Sequence, residues 1–433
     1  MSATIELTRH AARWLVRLEF VFLSLTYLYF VISDQVPALA WVLIAFIWLA
    51  RWWTTGELLR LTPLDLPILL ILLWLPISMW VSTSWWLSQP KAYGVILGVL
   101  FFYAVVRAIA TRRDLAWATF WLVLVFIAIA VAGLVGTDWA QGKILSASFI
   151  YDRLPRFIQA IPRSIAGGFA RNGVGGTLAL TIPFLASLLW ATGGWRMRAE
   201  EQGSRGAEAS NSTLLILVLV ALALSLVAVA LTQSRGAILG TAVGLLAIAI
   251  WRERRFGWVV VAGAVGLIAL ILMGQGNALG EFLLRMDAQS GTLASRIEVW
   301  QRGVLMVQDF PFTGIGIGTY NNVAHALYPF FIAAPDELVP HAHNNLLQVA
   351  VDLGIPGLIA FVALLVGFAV CLARGYRALP DQVVRALIVG LGSGMLAHQT
   401  FGLTDAFILG TKPGVLLWVF FALASVVYQM SDE

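Results

Sequence analysis

Three stretches of this chain concentrate residues that could do chemistry. The richest begins Pro311-Phe312-Thr313-Gly314-Ile315-Gly316-Ile317-Gly318, continues through His341-Ala342-His343-Asn344-Asn345, and ends Gly354-Ile355-Pro356-Gly357. The second is Ser234-Arg235-Gly236-Ala237, a tight turn between two apolar runs, and the third is Ser295-Arg296-Ile297-Glu298-Val299-Trp300. Late in the chain, His398 and Asp405 stand at the end of another apolar run. The alternation of apolar and polar residues predicts a short helix over 344–353, about 15 Å long at 1.5 Å per residue. Gly354 fits the position just past its end, and Pro356 opens the next helix. His343 then sits at a helix N-terminus, where the positive end of the dipole disfavours the imidazolium. A neutral imidazole accepts a proton near pH 7, so the position suits a general base. A capping or interfacial histidine would do no chemistry, and the sequence leaves both readings open.

The pair His341-x-His343 invites a metal, but residues two apart on a helix point in different directions. No third Cys or His cluster stands nearby, and Asp336 and Glu337 do not complete a recognisable site, so no metal is expected. Arg235 and Arg296 carry planar forks that suit phosphate oxygens; the alternative is a guanidinium that snorkels to lipid headgroups. Arg296 opens an amphipathic helix, and an Arg296–Glu298 ion pair is not expected, because i,i+2 residues diverge. The Gly314-Gly316-Gly318 run lacks a following Walker lysine and a βαβ context, so it reads as a turn with close backbone approach rather than a phosphate loop. Asp405 could orient a histidine or an acceptor hydroxyl. A departing diphosphate needs its charge matched by a divalent metal or by arginines. The absence of an Asp-x-Asp pair in the expected external loops favours arginine.

The elements that must position these residues are written in the composition. Of 433 residues, 60% are hydrophobic and 12% charged, against about 25% charged in a soluble domain, and mean hydropathy is +0.86. Long continuous apolar runs exclude a barrel and predict an all-α polytopic membrane protein. About twelve transmembrane helices are expected, over 18–33, 38–53, 65–82, 92–110, 115–135, 172–192, 213–233, 236–251, 257–273, 357–373, 384–402 and 413–430. Arginines before the first span and in alternate short loops place both termini in the cytoplasm. The chain divides into a bundle over 1–273, an external loop or cap over 274–356 carrying the histidines, and final spans over 357–433. A second external loop, 136–171, contains Arg163, a candidate supporting residue. The stretch 194–212, rich in Arg, Glu, Ser and Gly, reads as a flexible linker. The net charge of +5 is spread over short loops, which argues against nucleic acid. The lone Cys371 excludes a disulfide framework, and no cleavable signal peptide is expected.

At these residues the sequence resembles a known family. His343-Asn344, nine residues, then Gly354-x-x-Gly357 is similar to the signature of bacterial O-antigen ligases and the related polymerases. Ser234-Arg235-Gly236-Ala237, the Arg296–Trp300 helix start and Pro311-Phe312-Thr313-Gly314-x-Gly316 resemble the neighbouring motifs in order, and the likeness covers about 165–410. It implies a metal-independent, inverting GT-C glycosyltransferase of the inner membrane, without cofactor, with a small helical cap and an active site facing the periplasm. The donor would be a glycan on undecaprenyl diphosphate and the acceptor the lipid A core, both among membrane lipids. His343 would be the catalytic histidine, Arg235 and Arg296 the diphosphate ligands, and Asn344 and Asp405 supporting residues; His341 has no counterpart. A polymerase joining two lipid-linked glycans is the nearest alternative. A transporter of an anionic lipid or solute is the rival of another class, and it would place ionisable residues at mid-membrane on broken helices.

Overall fold

Apolar helix formers dominate the long runs, and with nothing but lipid to satisfy a backbone in a bilayer core, helices are what such runs form. The structure, a computed structural model, describes residues 18–137, 139, 169–202, 205–274, 292–332, 338–407 and 409–432. Arg163, Asp336 and Glu337 lie outside the described residues.

Among the described residues there are fourteen α-helices and no strand. They are α1 (Glu19–Ser33), α2 (Ala38–Thr55), α3 (Asp65–Trp80), α4 (Trp85–Ala108), α5 (Arg112–Gly136), α6 (Arg171–Gln202) and α7 (Arg205–Thr232). Then come α8 (Arg235–Arg252), α9 (Gly257–Leu272), α10 (Thr292–Asp309), α11 (Tyr320–Leu327), α12 (Asn345–Ala378), α13 (Gln382–Phe401) and α14 (Val415–Gln429). Among the described residues, eight stretches are long and apolar enough to cross a membrane, in α2, α4, α5, α6, α7, α8, α12 and the segment Lys412–Gln429 that includes α14. The other four expected spans fall on α1, α3 and α9, of 15, 16 and 16 residues, and on α13, which Gln382, Ser393, His398 and Gln399 make more polar.

The flexible linker expected over 194–212 is corrected to helix at its described residues: α6 runs to Gln202 and α7 begins at Arg205. Its Arg, Ala, Met and Glu residues are strong helix formers, and extending a helix that already exists costs far less than nucleating one.

The main core lies where α3, α4, α6, α12, α13 and α14 meet, around Phe102, Phe184, Phe361 and Trp418. A second, smaller core belongs to the cap: Val299 and Met306 of α10 pack with Tyr320 and Val323 of α11, and with Phe330, Ala342 and Val351. The Gly-rich turn seats this cap on the bundle. The Trp74 indole donates to the Phe312 carbonyl at 2.8 Å, the Ile317 N–H donates to Ser78 Oγ at 2.8 Å, and Ser88 Oγ donates to the Ile317 carbonyl at 2.6 Å. Gly316 has φ 96°, and a Cβ there would stand 2.6 Å from the Ser82 Cα, so only glycine lets the turn approach the junction of α3 and α4.

Candidate active site

The histidine loop is held from below by the helix it precedes. That helix, α12, is broken at Gly354, whose φ of 68° and ψ of −175° separate a short helix, 345–353, from the long one. A Cβ on Gly354 would lie 2.4 Å from the Phe312 carbonyl oxygen, which explains glycine there. The break falls where Gly354 and Pro356 predict it, but the helix starts one residue later than expected. Asn344 is the cap, its Oδ1 accepting from the Leu347 N–H at 3.0 Å. His343 therefore precedes the cap, with φ 49°, rather than occupying the helix itself.

That shift corrects the geometry expected of the histidine pair. His341 and His343 are in the loop, not on a helix, and their rings meet edge to face with centroids 4.4 Å apart. Asp405, from the segment after α13, completes the group. His343 Nδ1 is 3.3 Å and His341 Nε2 is 3.6 Å from the same Asp405 oxygen, which also accepts the Ala406 N–H at 2.9 Å. Burial alone would raise the Asp405 pKa. The hydrogen bond from His343, the pull of both rings and the Ala406 N–H outweigh it and hold the carboxyl at about 2. An ionised carboxylate only accepts, so the proton between them belongs to His343 Nδ1, and in that tautomer of the neutral ring Nε2 is the acceptor. Burial, then the His343 ring, Lys91 and Arg296, push His341 down to about 4 against the pull of Asp405. His341 is thus neutral at pH 7. Its Nδ1 accepts the His343 N–H at 3.3 Å, so its own proton sits on Nε2, facing Asp405.

Two residues that sequence reasoning missed lock this arrangement. Asn345, buried, donates its N–H to the Gly402 carbonyl at 2.7 Å and accepts the Phe407 N–H at 2.7 Å, tying the Asp405 segment to the helix start. Gln348 accepts the Ala342 N–H at 2.6 Å and donates to Asp352 Oδ1 at 2.8 Å, fixing the loop between the histidines. Their closeness to His343 in the chain is the only signal the sequence offers for either. Asn344 adds a 3.3 Å bond to the Leu403 carbonyl. His398 is buried, with Nε2 2.9 Å from the Phe407 carbonyl, and so serves the same segment rather than the open site.

The arginines come to the same end of the bundle. Trp300 Nε1 donates to the His343 carbonyl at 3.2 Å, and Arg296, four residues earlier, shares that face of α10. Its charge is felt at His341. Glu298 does not pair with Arg296; it accepts the Phe331 and Ile332 N–H groups at 2.5 and 2.9 Å and lies 3.5 Å from Arg302. Arg235 is exposed at the first residue of α8, capped by Ser234. A Cβ on the adjoining Gly236 would stand 2.5 Å from Thr404 Oγ1, so this helix start abuts the residue before Asp405.

His341, His343 and Asp405 offer ligand atoms all within 4.8 Å of one another, a set able to hold one metal ion. The carboxylate in this set is Asp405, from a chain segment some sixty residues downstream, and not Asp336 or Glu337, the acids weighed from the sequence. Lys91 and Arg296, whose charges add to burial and the His343 ring in lowering His341, also oppose a dication at the same place.

Fold and site together define an all-α polytopic membrane protein in which a cap and helix ends hold a histidine–aspartate pair beside guanidinium groups. The model of a family described as O-antigen ligase matches residues 220–362, about a third of the chain, and this likeness supports the O-antigen ligase/polymerase superfamily. The match takes in Arg235, Arg296, His341 and His343, and leaves Asp405 outside. No curated protein matches the chain. The family implies a glycosyltransferase-like enzyme of O-antigen ligase or polymerase type.

Proposed function

We propose that the protein is an O-antigen ligase: a GT-C glycosyltransferase that moves a glycan, with inversion, from undecaprenyl diphosphate to a hydroxyl of the lipid A core. The observation that carries the reading is the Asp405–His343 contact, which leaves His343 Nε2 able to accept a proton. The acceptor hydroxyl gives its proton to Nε2 as its oxygen bonds to the anomeric carbon, and the bond from that carbon to the diphosphate breaks. Arg235 and Arg296 match the charge of the departing diphosphate. His343 then returns the proton to solvent. Binding two membrane-anchored reactants in one cleft supplies proximity. The arginine-rich short loops at the other end of the bundle favour a site on the periplasmic side of the inner membrane, with both termini in the cytoplasm.

The test is transfer by the purified protein in liposomes containing the lipid-linked glycan, with and without lipid A core, before and after chelation. A ligase joins glycan to core only when core is present, and chelator leaves the rate unchanged. Glycan elongation without core identifies a polymerase. Loss of transfer on chelation, restored by a divalent metal, assigns the three-residue cluster to a metal and removes the base role from His343.

A further inference from the structure

Beside the histidine pair lies a cavity of about 350 Å³, small on the scale of ligand pockets at roughly 300–1,000 Å³. His341 and Ala406 form its boundary with the site, and its other polar groups include Lys91 of α4, Asn321 of α11 and Asp352 of the short helix in α12. Each keeps something in reserve. Among the described residues Lys91 makes no hydrogen bond and no ion pair, although Lys412, close enough to be felt at Lys91, is paired with Asp34 at 3.0 Å. Asn321 spends its carbonyl on the Val339 N–H at 2.9 Å, leaving its NH2. Asp352 spends Oδ1 on Gln348 and the Gly318 N–H, leaving Oδ2. Leu87, Ile317 and Pro340 make the apolar wall.

An ammonium and an amide that donate, a carboxylate that accepts, and an apolar wall together suit a ring bearing several hydroxyls, since each hydroxyl both donates and accepts. Asp352 disfavours a free anion in the cavity and Lys91 disfavours a metal cation. We infer that this cavity binds a sugar residue of the acceptor, held through its hydroxyls by Lys91, Asn321 and Asp352. The assignment to acceptor rather than donor rests on the function proposed above. Arg235 begins α8, which packs on α6 and α13, whereas the cavity is bounded by α4 and α11. In-line displacement puts the incoming hydroxyl and the leaving diphosphate on opposite sides of the anomeric carbon. His341 then forms the wall between the held sugar and the base.

The probe is core oligosaccharide freed of its lipid, with binding followed by saturation-transfer NMR and transfer kinetics followed in liposomes. Lys91→Met keeps the alkyl stem, and Asp352→Asn keeps the Oδ1 acceptor that the fold uses. Each variant is expected to weaken oligosaccharide binding and raise the acceptor KM about tenfold, the loss of one hydrogen bond to a charged group, with the donor KM unchanged. An unchanged acceptor KM, or a raised donor KM in its place, overturns the inference. If the wild-type protein transfers nothing, the proposed function fails, while the binding arm still decides the cavity: binding lost in Lys91→Met upholds a sugar site, and no binding by wild type refutes it.

Discussion

One helix, α4, carries a lysine near its start and an arginine in its last turn, and the two live differently. Arg107 joins Arg51 of α2 on the Glu19 carboxylate of α1, and Arg51 and Glu19 are almost completely buried. About 24 Å away along the helix, at 1.5 Å per residue, Lys91 faces a cavity and has no ion pair among the described residues. Nor does Arg296 have one among those residues, and the nearby Asp405 carboxylate is occupied by the two histidines. Charges that satisfy one another inside an apolar bundle hold helices together. Charges arranged so that their own chain leaves them available describe a ligand.

Either half of this contrast can be overturned. Glu19→Gln leaves two guanidiniums without their carboxylate, and removing one partner of a buried pair costs roughly 3–5 kcal/mol. Thermal unfolding in detergent should register that loss, with transfer per folded molecule unchanged; a specific loss of transfer would move Glu19 into the function. Arg296→Ala should do the opposite, weakening donor binding about 10- to 100-fold through the lost charge-assisted hydrogen bonds while leaving the unfolding temperature in place. Equal donor affinity in mutant and wild type would remove Arg296 from the site. Gly354→Ala forces a side chain into a left-handed position and against the Phe312 carbonyl, at a cost of about 1–3 kcal/mol. Because that break ends the helix behind His343, both stability and transfer should fall.

A pH slope is the subtlest consequence. The His341 pKa is lowered on folding, from 6.5 to about 4, so between those values the unfolded chain binds the proton and the folded chain does not. Stability therefore declines as pH falls from about 6.5 towards 4. Asp405, held at about 2, gives up its own contribution only below the ordinary carboxylate range. His341→Gln should make the decline between pH 6.5 and 4 shallower, and an unchanged slope would mean that His341 does not contribute to it.

Much of the scaffold is legible in the chain. Apolar runs long enough for a bilayer announce the helices, and Gly354 with Pro356 announces the break, because these signals are local. The glycine turn is legible for the same reason, although what it approaches, Ser82 and Asp352, is not. The site itself depends on closure between distant segments. Nothing near His343 in sequence says that Asp405 will reach it, and the assumption of a helix turns the two histidines apart where a left-handed residue brings them together. Lys91 reads in sequence as the edge of a span, since one cation beside an apolar run looks the same whether it meets headgroups or a cavity. Asn345 and Gln348 look like the polar face of a short helix; in place they are the clamps that set the carboxylate and the histidine loop.

If His343 acts as a base while the cationic groups around it hold the donor, binding and chemistry must separate when the imidazole is removed. Donor binding and transfer should therefore be measured together on one correctly inserted His343→Ala preparation. Donor affinity should match that of wild type, and transfer should be slower by roughly 10²–10⁴-fold, the usual contribution of general-base catalysis. Transfer at the wild-type rate would contradict the base role.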